Sequence, residues 1–369
     1  MADHHHATIP PWTWVAPALA CGLLALKFGH IVPSDAIALQ IFAGLLLGAA
    51  VFAAVHHAEL LAVKLGEPFG SILLAVAVTV IEVALIVSIM ISSAAGSDSV
   101  ARDTVFAAVM IVLNGVVGIC LVLGGRRHFE QSFQLRGASS ALAVLGTLAT
   151  LTMILPNYTM TTVGPYYSPV QLLFVGAISL FLWGIFVFVQ TVRHRDYFLD
   201  LPADTEEDNE APQHEKPSDR VALISLMLLL VSLTVVVLLA KILSYPLDKG
   251  IAAAGLPQAF VGVVIAAIVL LPEGIAAAKS ALLNRLQNSI NLGVGSAIAS
   301  IGLTIPTVAV VSLMIDQKIV LGLSPANTTL LVLTLFVSTL TLGTGRTTVL
   351  QGAIHLTIFA AFLLVSAVP

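Results

Sequence analysis

Apolar runs of about twenty residues recur along the whole chain, and this recurrence restricts the fold more than any motif does. A hydrocarbon core of about 30 Å takes ~20 helical residues to cross. Eleven candidate spans can be drawn: Thr13–Val32, Ala36–Val55, Gly70–Ser93, Thr104–Gly124, Ala138–Leu155, Val170–Val192, Val221–Leu243, Leu256–Lys279, Ile290–Ile315, Asn327–Leu342 and Thr347–Ala367. Residues are 58% hydrophobic and only 10% charged, against about 25% charged in ordinary soluble domains. A closed barrel would show short alternating segments, and none occur. The expected fold is therefore an all-α polytopic membrane protein, in contact with the lipid bilayer. The opening MADHHHATIPPWTW has no basic leader and no small-residue cleavage pattern follows the first run, so that run reads as a retained span. Cys21 and Cys120 lie inside apolar runs and read as small buried hydrophobes.

The net charge of −4 is set by one segment, RHRDYFLDLPADTEEDNEAPQHEKPSDR (Arg193–Arg220), which carries nine acidic residues. It cannot bury enough apolar surface to fold alone and reads as a solvated linker. It divides the spans into six and five. Setting the first aside leaves five plus five, and an odd number of crossings turns the second set upside down relative to the first, the inverted-repeat plan of many secondary transporters. The expected organisation is a tail over 1–12, an extra helix over 13–35, a first repeat over 36–192, the acidic linker over 193–220 and a second repeat over 221–369. With the N-terminus inside, eleven Lys and Arg fall on the inner side and five on the outer, so a cytoplasmic N-terminus and an outer C-terminus are expected.

Within this framework one stretch stands out: AAIVLLPEGIAAAKSALLNRLQNSINLGVGSAIASIGLTIP, Ala266–Pro306. It puts Glu273 directly after Pro272 inside an apolar run. Asn284, Gln287 or Asn288, and Asn291 follow at helical spacing, then Ser296, Ser300 and Thr304 at four-residue steps. Lipid rejects such a face, so it must meet protein, water or an ion. The first half carries a related pattern, EPFGSILLAVAVTVIEVALIVSIM (Glu67–Met90) followed by VMIVLNGVVGICLVLGG (Val109–Gly125). Of the twenty Asp and Glu residues, only Glu82 and Glu273 sit deep inside apolar runs, one in each half. An acid there costs about 2.5–3.5 kcal/mol on insertion scales. One such acid could simply brace a neighbouring helix in its protonated form; two at related positions favour a shared site.

A carboxylate in low dielectric tends to keep its proton, and a dehydrated cation displaces it. Ca²⁺ takes six to eight hard oxygen ligands, and two protons against one Ca²⁺ leave the charge of the site unchanged. Competition between cation and H⁺ for Glu82 and Glu273 would itself be the coupling. Thr79 shares a helix face with Glu82. Pro272 and Gly274 are expected to break the helix and free carbonyls for a cation. Asn114, Asn291, Ser296 and Ser300 are candidate oxygen donors or pathway residues, although small polar side chains also serve as packing contacts between membrane helices. Glu67, beside Pro68, suits an entrance or a helix cap. His355 suits a helix–helix hydrogen bond or a proton relay. His4, His5 and His6 form a tail cluster, and His56, His57 and Glu59 do not make a zinc-protease motif. No cofactor, enzymatic nucleophile–base pair or nucleic-acid-binding pattern is read. A passive cation channel filtered by the same acids is the alternative, against which proline-interrupted spans in both halves favour alternating access.

PEGIAAAKSALLNRLQNSINLGVGSAIASIGLTIP (Pro272–Pro306) and EPFGSILLAVAVTVIEVALI (Glu67–Ile86) together resemble the bacterial ChaA-type calcium/proton antiporters. These form part of the cation/proton exchanger branch of the calcium/cation antiporter superfamily. The resemblance extends over nearly the whole chain. It implies eleven helices in an inverted-repeat fold, a bacterial inner-membrane location, and ion binding by the acids that map onto Glu82 and Glu273. Many calcium exchangers of this branch carry Asn before each acid and His after the second. Here Ile81 precedes Glu82, and Pro272 and Gly274 flank Glu273; ChaA-like members are also associated with Na⁺/H⁺ and K⁺/H⁺ exchange.

Overall fold

The computed structural model describes residues 9–29, 37–66, 69–91, 98–199 and 217–369. His4–His6, Glu67 and the acidic stretch 200–216 lie outside the described residues. Among these, eleven helices account for the apolar runs: α1 Trp12–Phe28, α2 Ile37–Leu65, α3 Phe69–Ile91, α4 Val100–His128, α5 Leu135–Tyr158, α6 Pro169–Arg193, α7 Asp219–Ala253, α8 Phe260–Leu282, α9 Leu286–Met314, α10 Pro325–Leu342 and α11 Val349–Ala367. The molecule is an all-α polytopic membrane protein, with one helix, then five, then five. Its only strands among the described residues are β1 Gln131–Ser132 and β2 Arg346–Thr347, paired antiparallel.

Helix starts follow from local chemistry. Ser168 accepts from the Gln171 amide while the Gln171 side chain returns to Ser168, and Pro169 takes the first helical position of α6. At α10 Ser324 accepts from the Asn327 amide and Pro325 takes the first position, without a returning side chain, and Thr348 with Gln351 closes a capping box on α11. The largest departures from the sequence spans are at α2 and α7. Each runs ten residues past its apolar stretch, to Leu65 and Ala253 instead of Val55 and Leu243. Polar residues end a hydropathic run but do not end a helix. At 29 and 35 residues, these two are about 43 and 52 Å long, well beyond the hydrocarbon thickness.

The helices form two compact units, one holding residues 1–92 and 202–249, the other 93–201 and 250–369. In the first unit α2 packs against both α1 and α3. His57 reaches the Thr13 carbonyl at 3.3 Å, and Lys64 pairs with Asp219 at 2.6 Å. In the second unit the partners are exchanged between halves. The third helix of the first half, α4, packs on the last helix of the chain, α11; the third helix of the second half, α9, packs on the last helix of the first, α6. Glycines permit both approaches. A methyl group at Gly352 would lie 2.7 Å from the Val122 nitrogen, and one at Gly302 would lie 2.6 Å from the Trp183 Cβ. Such small-residue crossings are the usual means of close helix contact in membranes.

Loops secure the ends of this unit. On one side, Gln131 donates to the Ala281 carbonyl at 2.9 Å and to Asn284 Oδ1 at 3.0 Å, and Gln287 accepts from the Gln134 amide at 2.7 Å. Asn284 therefore does not continue a helical stripe: it occupies the turn between α8 and α9 with φ +58°, a conformation that asparagine tolerates better than most residues. On the other side, Ile319–Leu323 folds inward. Val320 donates to the Asp98 carbonyl, Leu323 to Met153, and Asn157 to the Leu323 carbonyl at 2.8 Å. Tyr167 closes the same side by donating to the Leu151 carbonyl, and burial pushes its phenol up to about 12.

Candidate functional site

Glu273 sits past the midpoint of α8, half-buried, and Ser296 Oγ of α9 donates to its Oε2 at 2.6 Å. The tight turn between α8 and α9 brings the two helices antiparallel, so residues 23 positions apart in sequence meet. A second anchor fixes the register, with Ser289 Oγ donating to the Ala277 carbonyl at 2.7 Å. Farther along α9, Ser300 is 2% exposed, and Thr304 is fully buried with a hydroxyl that has no hydrogen-bond partner among the described residues. Ser296, Ser300 and Thr304 thus continue as a polar line away from the acid.

The expected helix break is corrected. α8 is continuous from Phe260 to Leu282, through both Pro272 and Gly274. Proline removes only one intrahelical donor, the one that would serve the Ile268 carbonyl, and the flanking turns hold the helix together. Gly274 has a packing role instead. A methyl group there would come within 3.2 Å of Val116 on α4.

That contact falls on one of three π-helical segments among the described residues of this unit, the others being Thr150–Ile154 and Val189–Arg193. Ile111–Val116, in the middle of α4, is π-helical, a local widening common at functional sites. Val116 meets Gly274 of α8, Val112 and Val117 meet Gly293 of α9, and Gly115 lies under the Phe359 ring of α11. Asn114 points elsewhere. It donates to Thr334 Oγ1 at 2.9 Å, and its Oδ1 faces His355 Nδ1 at 3.1 Å. The structure therefore joins Asn114 to α10 and α11 rather than to the Glu273–Ser296 pair. Asn291 is also committed, accepting from Gln287 at 2.8 Å and donating to the Phe198 carbonyl at 2.5 Å. It ties the chain beyond α6 to the start of α9.

Glu82 and Thr79 belong to the other compact unit. Both lie within α3, at 4% and 5% exposure, one helical turn apart. Asp103, one residue before the apolar run that begins at Thr104, is also buried. In the structure α4 begins earlier, so Asp103 falls in its first turn at 6% exposure, neutralised by Arg102 at 2.7 Å and bonded by Ser99 at 2.9 Å. The signal was present, because an Arg-Asp pair beside an apolar run can enter a helix as a neutral unit. Among the described residues no three His, Cys, Asp or Glu side chains come together as a metal cluster.

An all-α polytopic chain with acids held inside apolar helices has the architecture of many membrane transporters. This chain belongs to the sodium/calcium exchanger protein family, which it matches over residues 36–192 and 224–368. It is 57% identical over 98% of both chains to a putative ionic transporter, y4hA, of Sinorhizobium fredii. It is 34% identical to the sodium-potassium/proton antiporter ChaA of Escherichia coli, over 95% of this chain and 94% of that one. The crystal structure of the Ca²⁺/H⁺ antiporter protein YfkE shares the fold, with a TM-score of 0.73 at 14% identity over 97% of this chain and 99% of that one.

Proposed function

We propose that this transporter exchanges a cytosolic cation for protons across a bacterial inner membrane, with Glu82 and Glu273 as the groups for which cation and H⁺ compete. The observation that carries the reading is a carboxylate within an apolar helix of each half, buried at Glu82 and bonded by Ser296 at Glu273. Inside a membrane such a group is costly as an anion and stable as an acid or as the partner of a cation. The serine favours the anion by donating to it, which lowers the cost of the cation-loaded state.

The relationship to ChaA supports Na⁺ and K⁺ as substrates, and the fold shared with YfkE supports Ca²⁺. The residues beside the acids, Ile81, Pro272 and Gly274, supply no side-chain oxygen. The monovalent relative at higher identity therefore weighs more for the choice of cation. The distribution of Lys and Arg supports a cytoplasmic N-terminus.

Everted membrane vesicles with a ΔpH-sensitive dye test the proposal. Wild-type protein is expected to collapse ΔpH on addition of Na⁺, K⁺ or Ca²⁺, and Glu82→Gln and Glu273→Gln are each expected to abolish the response while inserting normally. Full activity in either variant would remove that acid from the site. Cation flux without proton movement, at conductances far above carrier rates, would replace the exchanger with a channel.

A further inference from the structure

His57, Asp103, Cys120 and His355 are buried titratable groups that the exchange reading leaves unused. His355 is 1% exposed in α11, and both of its ring nitrogens have partners: Nδ1 faces Asn114 Oδ1 at 3.1 Å and Nε2 faces Thr341 Oγ1 at 3.2 Å. Asn114 passes the chain on to Thr334 Oγ1 at 2.9 Å, and Thr334 reaches Met110 Sδ at 3.4 Å. Asn114, Thr334 and Thr341 are 0%, 0% and 4% exposed. Ser338, between the two threonines on the same face of α10, is fully buried, and its hydroxyl has no hydrogen-bond partner among the described residues. Thr341 is the penultimate residue of α10, next to the face that carries β1 and β2. Thr334 lies seven residues deeper, about 10 Å along the helix. The polar chain thus runs from near one membrane face to the middle of the bundle.

This network accommodates two charge states of the ring. Neutral imidazole can donate from Nδ1 to Asn114 while Thr341 donates to Nε2. The ring also has the Leu113 carbonyl as a partner. It can donate from Nε2 to Thr341 provided that a proton held toward that carbonyl is released, the Asn114 amide turns over and Thr334 becomes the donor. Imidazolium donates from both nitrogens and permits only the first amide orientation. No charged side chain competes with it. α10 and α11 contain no Asp, Glu, Lys or Arg. The charged residues of α4 are at its ends, Arg102 and Asp103, then Arg126, Arg127 and His128, each at least about 16 Å along the axis from Asn114. The remaining titratable group of α4, Cys120, has Ser289 of α9 as its partner.

We propose that His355 is a positioning residue for cation/proton exchange: its proton occupancy selects the orientation of Asn114 and, through the π-helical turn, the seating of α4 against Gly274 beside Glu273. The inference rests on the exchange reading. Asn114 and Val116 belong to the same six-residue π segment. One end of the coupling is the Asn114–His355 bond, and the other is the Val116–Gly274 contact. His355 touches no transported ion in this scheme; it acts through the helix.

The test is cation-driven proton flux in reconstituted vesicles, measured from acid to alkaline pH for wild type, His355→Gln, His355→Leu and Thr341→Val. Glutamine keeps a donor and an acceptor in place but does not titrate. His355→Gln is expected to transport with a pH profile flatter by one proton, His355→Leu to lose at least about tenfold at every pH, and Thr341→Val to move the midpoint of the profile. A wild-type profile in His355→Gln would overturn the proposal, as would equal loss in the Gln and Leu variants with the profile shape unchanged. If His355→Gln does not insert, the Thr341→Val profile decides, and no shift overturns it. Wild-type vesicles that move no protons in response to any cation would overturn the exchange reading, and this inference with it.

Discussion

Ser296 and Asn114 illustrate what a helical position reveals about a side chain and what it leaves open. Both are small polar residues in mid-helix, and from spacing alone each is an equally good oxygen donor. Ser296 bonds the Glu273 carboxylate at 2.6 Å, whereas Asn114 is committed to Thr334 and His355. Asn114 lies within the π-helical turn at Ile111–Val116. Each π-bulge shifts the face of every following residue by about one position, so a helical wheel drawn through α4 assigns its second half to the wrong neighbours. A hydrogen bond to a charged group contributes about 1.5–3 kcal/mol. Ser296→Ala is therefore expected to raise the cation KM at least about tenfold, read from dose–response curves of ΔpH collapse. An unchanged KM would mean that the serine only packs.

Helix extents are the most local property of the chain, and the sequence reads them well except where polarity and helicity part company. α2 and α7 continue for ten residues past their apolar runs, and α8 passes through Pro272 without breaking. Polar residues end the hydropathic run in α2 and α7 without ending the backbone hydrogen bonding, and one proline removes a single bond from α8. Helix partnership is different. That α4 meets α11 and α9 meets α6 is visible only in space, although the glycines that make it feasible are plain in the sequence. The Cβ introduced by Gly352→Ala would sit 2.7 Å from backbone nitrogen of α4, a contact that a rotamer change cannot relieve. A loss of about 1–3 kcal/mol is expected, seen as a lower melting temperature in detergent. Gly48→Ala in α2 is the control, since nothing lies within 4 Å of the added carbon; equal destabilisation of both would contradict the close-crossing account.

For the whole protein, the two compact units cut across the two sets of five helices: α2 and α3 of the first set are grouped with most of α7 from the second. The acidic segment 200–216 joins these sets in sequence. Its composition suits a solvated connection, so an uncharged Gly/Ser segment of equal length is expected to leave exchange within about twofold. Exchange measured at low and high ionic strength would check this, and a large loss confined to low salt would instead reveal a role in attracting cations.

Membrane class, the number of spans and the two intramembrane acids follow directly from the amino-acid order. Bilayer thickness imposes a length on every apolar segment, and the cost of burying charge makes each exception conspicuous. The surroundings of the polar groups depend on tertiary packing. Asn284 turns the chain, Asn291 holds the segment beyond α6, Asp103 is neutralised by its neighbour, and Asn114 meets His355. These outcomes depend on contacts between residues far apart in the chain, and on a backbone shift in α4 that no local periodicity encodes.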